Sequence, residues 1–230
     1  MSTLSRVGSG VGDVARRADP ARFFTSLFAP AERRNALWTL YAFNHELARA
    51  PESVREPMMA MIRLQWWREV VEGAARRHEV AEPVHDALAT GALRQADLLA
   101  LVEAREADAP ESAAEWTRFV QATAGTLATA AAHALGEDDV EAVRLAGSAY
   151  GAAGVLRNRA LRGQPAVTGL REAAVGFLQA ARSRPIPRHA LAAALPAVFA
   201  ERDLGRATPV RLRGLGDKLA VTRSALMGRL

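Results

Sequence analysis

Apolar residues recur along this chain at helical rather than strand spacing. In "LWTLYAFNHEL" the side chains Leu37, Trp38, Leu40, Tyr41, Phe43 and Leu47 cover most of a helix circumference, which requires packing neighbours on several sides. A second run over residues 53–76 places Met58, Met61, Ile62, Leu64, Trp66, Trp67, Val70 and Val71 in the same rhythm, with Pro57 in its first turn. Start signals agree with these periods. Asp19-Pro20 is an N-cap followed by proline at the first helical position, and Pro30 opens the long helix. Ser112 with Glu115 three residues later forms a capping box, so an alanine-rich helix is predicted from Ala113 to a glycine stop at Gly136.

Shorter helices are predicted over residues 84–89 and 96–107, and others over 170–182 and 188–200. Asp138 and Asp139 sit where another helix begins, and there carboxylates complement the helix dipole. That helix continues through "VRLAGSAYGAAGVLRNRALRG". Its residues Gly147, Ala149, Gly151, Ala152, Ala153 and Gly154 leave a shallow face, at a propensity cost of about 1 kcal/mol per glycine. Something must approach closely there, either another helix or a ligand. Alternation of Val, Ile and Thr is almost absent, so the fold class is all-α. No linker or compositional shift divides the 230 residues, and they are long enough for a single-domain helical bundle. Residues 1–18 read as a loose tail, 19–200 as the helical domain and 201–230 as a basic, glycine-broken C-terminal segment.

Composition narrows the chemistry. There is no cysteine, which excludes disulfides, thiolate metal sites and a cysteine nucleophile. The net charge of +5 is carried almost wholly by arginine, with Lys218 the only lysine; that suits phosphate or an anionic surface. The first twenty residues hold no apolar core of secretory-signal length. The longest uncharged run, residues 119–136, contains Gln121, three threonines and His133 and reads as a core helix, not a membrane span. The chain is therefore expected in the cytoplasm, with peripheral contact to the inner membrane as an extension of that reading.

Motifs for nucleotide binding, zinc hydrolysis and serine catalysis are missing from the sequence. What remains is a polar cluster at the end of an otherwise apolar helix: Asn44, His45, Glu46, Arg49 and Glu52. Elsewhere His78, Glu79, Glu82 and His85 lie near one another, but the spacing and Pro83 fit a solvated turn better than a metal site. Arg33, Arg34, Arg63, Arg68, Arg157 and Arg162 fall on predicted bundle helices, where converging guanidinium groups would bind phosphate in a bidentate fashion.

Four stretches, "SLFAPAERRNALWTLYAF", "IRLQWWREVVEG", "ATAGTLATAAAHALG" and "GSAYGAAGVLRNRALRGQPAV", resemble, in the same order, segments of the squalene/phytoene synthase family. The resemblance implies the isoprenoid synthase fold. Members of that family carry two aspartate-rich motifs whose carboxylates hold Mg²⁺ and, through it, a substrate diphosphate. The first motif's acidic positions fall here on Ala48, Arg49 and Glu52, and the second motif's pair on Asn158 and Arg162. Mg²⁺ needs hard anionic oxygen donors, and two guanidinium groups at ligand positions add repulsion to the missing ligands.

The run "AFNHELARAPESVREPMMAMIRLQWWREVVEG" is similar to a non-catalytic branch of the family associated with assembly of respiratory complex I. The matching positions are Asn44, Glu46, Arg63, Gln65, Trp66 and Trp67, with Leu156 and Arg157 retained in the second motif. The expectation is a pseudoenzyme with no cofactor and no bound metal, acting as an assembly or scaffold factor for the NADH dehydrogenase. The alternatives are an isoprenoid-lipid binder with Arg49 or Arg162 at the pocket mouth, or an active prenyltransferase condensing isoprenyl diphosphates. Pocket or partner contacts are expected from Arg33, Arg34, Tyr41, Arg63, Gln65, Trp66 and Tyr150. The expected partners are a respiratory-complex subunit or assembly protein, an isoprenoid lipid, and an anionic membrane surface met by the C-terminal segment; no nucleic acid is expected.

Overall fold

The computed structural model describes residues 10–52, 57–107 and 109–230, with side chains described at 10–50, 58–107 and 109–230. Among the described residues all regular structure is helical. In chain order the helices are α1 (Val11–Ala18), α2 (Pro20–Ser26), α3 (Arg34–Glu52), α4 (Pro57–Val71), α5 (Ala81–Ala89), α6 (Gln95–Glu106) and α7 (Ala113–Val120). There follow α8 (Thr126–Ala134), α9 (Glu141–Leu161), α10 (Leu170–Arg182), α11 (Leu191–Ala194), α12 (Pro196–Leu204) and α13 (Leu215–Met227). A 3-10 turn (Ala31–Arg33) leads into α3, and a π-type turn (Gln121–Gly125) joins α7 to α8.

Local chemistry accounts for the main boundaries. The Asp19 carboxylate accepts the Arg22 N–H at 2.9 Å with Pro20 at the first position of α2, satisfying one of the donors a helix start leaves orphaned. Ser112 and Glu115 form the reciprocal capping box. Gly136 stops α8 with a φ of +88°, a backbone state glycine adopts without steric penalty.

Two long helices organise the core. On α3, Leu37, Leu40, Phe43 and Leu47 are fully buried, against α1, α4, α5 and α8. On α9, Ala146, Ala149, Ala152 and Ala153 are equally inaccessible, against α8, α10 and α12. The shallow face of α9 takes another helix along two of its glycines. A methyl group at Gly147 would lie 2.3 Å from the Ala128 Cβ and 2.6 Å from the Ala124 carbonyl oxygen, and one at Gly151 2.5 Å from the Ala124 Cβ. At Gly154, by contrast, a Cβ would meet nothing within 4 Å.

Several boundaries differ from the sequence expectation. The tail assigned to residues 1–18 is helical from Val11, and Val11, Val14 and Ala15 are buried against α3; residues 1–9 lie outside the described ones. Helix α4 begins at Pro57 and ends at Val71, and residues 53–56 lie outside the described set. The helix predicted over 188–200 is broken at Leu195–Pro196, where proline lacks the N–H that would continue α11. The segment boundary at residue 201 falls inside α12, and the region beyond it forms α13. Asp138 is not a cap of α9; it pairs with Arg94 at 2.7 Å.

Helix α13 and the stretch before it are held chiefly by ion pairs, since Leu212, Leu215, Leu219 and Leu226 face outward. Asp217, 2% exposed, accepts from Arg202 at 2.5 Å and also from Arg206. Asp203 collects Arg157 of α9 at 3.3 Å, Arg206 at 3.2 Å and Arg213. Burial opposes the charge on Asp217, but the hydrogen bonds from Arg202 and Arg206 outweigh it and hold the carboxyl below its ordinary range. A carboxylate whose native pKa is depressed stabilises the fold above its unfolded value of about 3.9, and that contribution is lost as pH falls through the native value. Removing one member of a buried pair leaves the other charge uncompensated, so Asp217→Ala is expected to cost about 3 kcal/mol. It should also speed amide exchange across α13 at pH 7 and flatten the acid limb of the stability curve; unchanged exchange in α13 would contradict the clamp.

Candidate functional site

The bundle encloses a cavity of about 780 Å³. Its walls come from remote parts of the chain: α1 and α2, Asn44 of α3, Arg105 of α6, the α7–α8 turn, the second half of α9, Phe199 of α12 and the stretch from Arg211 to Lys218. The inner wall is apolar, with Val120, Leu127 and Phe199 each 1% exposed and Tyr150 at 8%. Phe119, Phe24 and Val155 continue it outward. The mouth is marked by liners that remain exposed, namely Arg16, Pro20, Leu27, Asn158, Arg211, Leu212 and Lys218.

Charge around this space is one-sided. Seven arginine or lysine side chains line it against a single carboxylate, Asp19. Several cations sit over the aromatic walls: Arg22 over Tyr150 at 4.7 Å, Arg213 over Phe199 at 4.7 Å and Arg105 over Phe119 at 5.8 Å. Each contact contributes cation–π attraction. Asp19 pairs with Arg22 at 2.7 Å. Burial pushes the Tyr150 and Tyr41 phenols upward against the opposing field of Arg22, so both stay neutral hydrogen-bonding groups near pH 7.

Residues from both degenerate motifs meet here. Asn44, from the first, lines the cavity and accepts a hydrogen bond from Arg105 at 3.4 Å. Arg157 and Asn158, from the second, line the same space. Tyr150 is a liner, and Tyr41 is buried within the electrostatic reach of Arg22. The other candidates stand elsewhere. His45, Glu46 and Ala48 are half-buried outside the cavity lining, and Arg49 is exposed and bonds Glu46 at 3.3 Å. The Glu52 side chain lies outside the described ones. Arg162 is exposed at the end of α9. The mouth expected at Arg49 or Arg162 is therefore corrected to Asn158, Arg211 and Lys218, because α3 and α9 turn their terminal arginines outward.

Arg33 and Arg34 donate instead to backbone carbonyls, of Ala134 at 3.4 Å and Ala29 at 3.0 Å. Arg63 and Gln65 are on the exposed face of α4, where Gln65 donates to Glu69 at 3.4 Å. Trp66 packs edge-on to Trp67 at 4.7 Å and to His78 at 5.6 Å. The histidine cluster has structural partners: the His78 Nδ1 accepts the Val80 N–H at 3.1 Å, and the His85 Nε2 lies 3.0 Å from the Val70 carbonyl. The liners Arg22, Arg105 and Arg213 were not singled out by sequence. Arg22 alone had a local signal, three residues past the Asp19 cap.

The family resemblance implies Mg²⁺, which demands oxygen donors in near-octahedral geometry. Among the described residues no three histidine, aspartate or glutamate side chains lie close enough to share a metal ion. The groups that reach the cavity from the two motifs are amides and a guanidinium. These residues do not fit the ion.

The sequence profile described as squalene/phytoene synthase matches residues 15–161, well over half of the chain. Curated relatives carry the name NADH dehydrogenase (ubiquinone) complex I, assembly factor 6. The Homo sapiens protein is 38% identical over 60 residues, covering 26% of this chain and 18% of the relative. The Rattus norvegicus protein is 28% identical over 170 residues, covering 67% of this chain and 51% of the relative. The Mus musculus protein is 27% identical over 152 residues, covering 63% and 46%. The matched regions thus span about half the length of these relatives or less. No solved structure matches. With residues of both motifs on one cavity and a profile spanning them, the chain belongs to the squalene/phytoene synthase family.

Proposed function

We propose that this chain is a non-catalytic family member that assists assembly of the respiratory NADH dehydrogenase. One observation carries the reading: the motif residues facing the cavity are Asn44, Arg157 and Asn158, where diphosphate ionisation would need a carboxylate-held metal cluster. The cavity itself persists, so what was lost is the chemistry and not the fold. The name that the relatives carry supplies the assembly role. Deleting the gene in its host should lower assembled NADH dehydrogenase while other respiratory complexes persist, and the wild-type gene should restore it. Unchanged assembly would overturn the proposal.

The location of that work is the second part of the reading. Among the described residues no helix is long and apolar enough to cross a membrane. The C-terminal segment, however, turns leucines outward: Leu212 is 85% exposed, Leu215 79%, Leu226 74% and Leu219 67%. Exposed Arg211, Lys218 and Arg223 stand among them. Shallow apolar insertion beside cations suits an anionic lipid surface, where each nearby cation contributes about 1 kcal/mol. An isoprenoid lipid in the apolar cavity fits the same location. The protein should sediment with anionic vesicles at low salt and much less with neutral ones, and Leu215→Asp with Leu219→Asp should abolish the binding. Equal sedimentation with neutral and anionic vesicles would rule out this mode.

A further inference from the structure

Phe119 lines the central cavity and also a second recess on the surface. Helix α6 packs against the π-type turn and α8 but hardly against α7, and the space left between them is a groove of about 710 Å³. Its floor is small and apolar: Ala100, Ala104 and Ala107 recur at helical spacing along one wall, and Phe119 and Ala122 belong to the other. Its rim is acidic, in a chain whose net charge is +5. Glu103 stands on the α6 side and Glu111 and Glu115 on the α7 side, against the single cation Arg118, 4.0 Å from Glu115. Glu103 meets Arg68 only at 3.7 Å, because that guanidinium is engaged by Glu106 at 2.8 Å. The backbone N–H groups of Ser112 and Glu111 hold the Glu115 carboxyl below its ordinary range, so this part of the rim is negative near neutral pH.

Helix α13 carries the complementary face. At about 100° per residue, Leu215, Leu219 and Leu226 share one sector of the helix, with Lys218 to one side and Arg223 to the other. All five side chains are exposed, and neither cation forms an ion pair among the described residues. The leucine stripe and the groove wall from Glu115 to Thr126 are each about 16 Å long at the helical rise. A helix laid in a groove is anchored by apolar side chains at such spacings, and an alanine floor lets its backbone approach closely. We propose that α13 of one copy of this chain seats its leucines in the groove of a second copy, with Lys218 and Arg223 against Glu103, Glu111 and Glu115. The exchange is reciprocal: Phe119 of the groove and Leu212 and Lys218 of the C-terminal segment all border the central cavity, so each copy can give a helix and receive one across the same side. Such a pair closes on itself, whereas a one-way contact would propagate into a chain of molecules. Pairing also covers the leucines assigned above to an anionic surface, so the paired and lipid-bound states exclude each other.

The test is equilibrium sedimentation of the full chain without lipid, from micromolar to near-millimolar concentration at low salt. A reversible monomer–dimer equilibrium is expected, weakened at 1 M salt, where the Debye length falls to about 3 Å. Lys218→Glu with Arg223→Glu reverses the helix, and Glu103→Lys with Glu111→Lys reverses the groove; each double variant alone should dimerise at least about tenfold more weakly, since like charges then face each other. Mixing the two should restore the dimer, because both contacts of the mixed pair again join opposite charges. A purely structural role for these side chains would not produce that rescue. The altered positions are exposed, and an unchanged helical spectrum and melting curve verify the fold. Should either double variant fail to fold, Leu219→Asp carries the comparison and should be monomeric. A monomer throughout the concentration range, growth beyond the dimer, dimers that persist in the folded variants, or no rescue on mixing folded variants overturns the proposal. A monomeric chain whose groove instead takes a synthetic leucine- and lysine-bearing helical peptide overturns it too, and assigns the groove to another protein. With no lipid and no host cell involved, the result is separate from vesicle sedimentation and from gene deletion.

Discussion

The approach of α9 to the α7–α8 connection is the constraint from which the rest follows. At Gly147 and Gly151 the two backbones are so close that even a methyl group would collide with Ala124 or Ala128. An alanine buries little area by itself, so these contacts stabilise through the number of atoms brought to van der Waals distance rather than through large side chains. The π-type turn at Gln121–Gly125 lies at this contact, and turns of this kind often mark functional positions. One helical turn further along α9, at Gly154, the opposing wall withdraws and the cavity opens. The same small-residue face therefore closes the core at one end and shapes the site at the other.

Around that frame, charge does the work that apolar side chains usually do. Helix α13 exposes its leucines and buries Asp217, Val221 and Ser224, so it is anchored largely by carboxylates surrounded by arginines. Asp203 joins that anchor to Arg157 on α9, which makes the anchor continuous with the cavity rim. Burying such pairs contributes less to stability than apolar residues of similar size would, but it fixes one arrangement strongly, because any alternative leaves a charge unpaired. A segment fastened in this way holds its leucines outward while its arginines complete a pocket.

Much of this was legible in the sequence where the signal was local. Helical periods, the Asp19 cap and the Ser112–Glu115 box located the main helices, and the glycine-rich face of α9 announced a close neighbour. The second half of the N-terminal tail was missed because α1 is short and begins among glycines, with Val11 and Val14 its main apolar residues. Helix α13 lies in the segment that reads as basic and glycine-broken, and its leucines face outward, so the rule that apolar side chains define the buried face points the wrong way there. The site divides similarly. Asn44, Arg157 and Asn158 could be placed by motif resemblance, but the convergence of Arg22, Arg105 and Arg213 joins segments separated by scores of residues, and no spacing along the chain encodes it.

The central claim is that the family's two motif helices still frame a cavity but no longer support metal-dependent ionisation of a diphosphate. Incubating the purified chain with farnesyl or geranylgeranyl diphosphate and Mg²⁺, and following pyrophosphate release and hydrocarbon product, tests this directly. The account predicts release no faster than in a protein-free control at any Mg²⁺ concentration. Squalene, phytoene or Mg²⁺-dependent pyrophosphate above that control would contradict it.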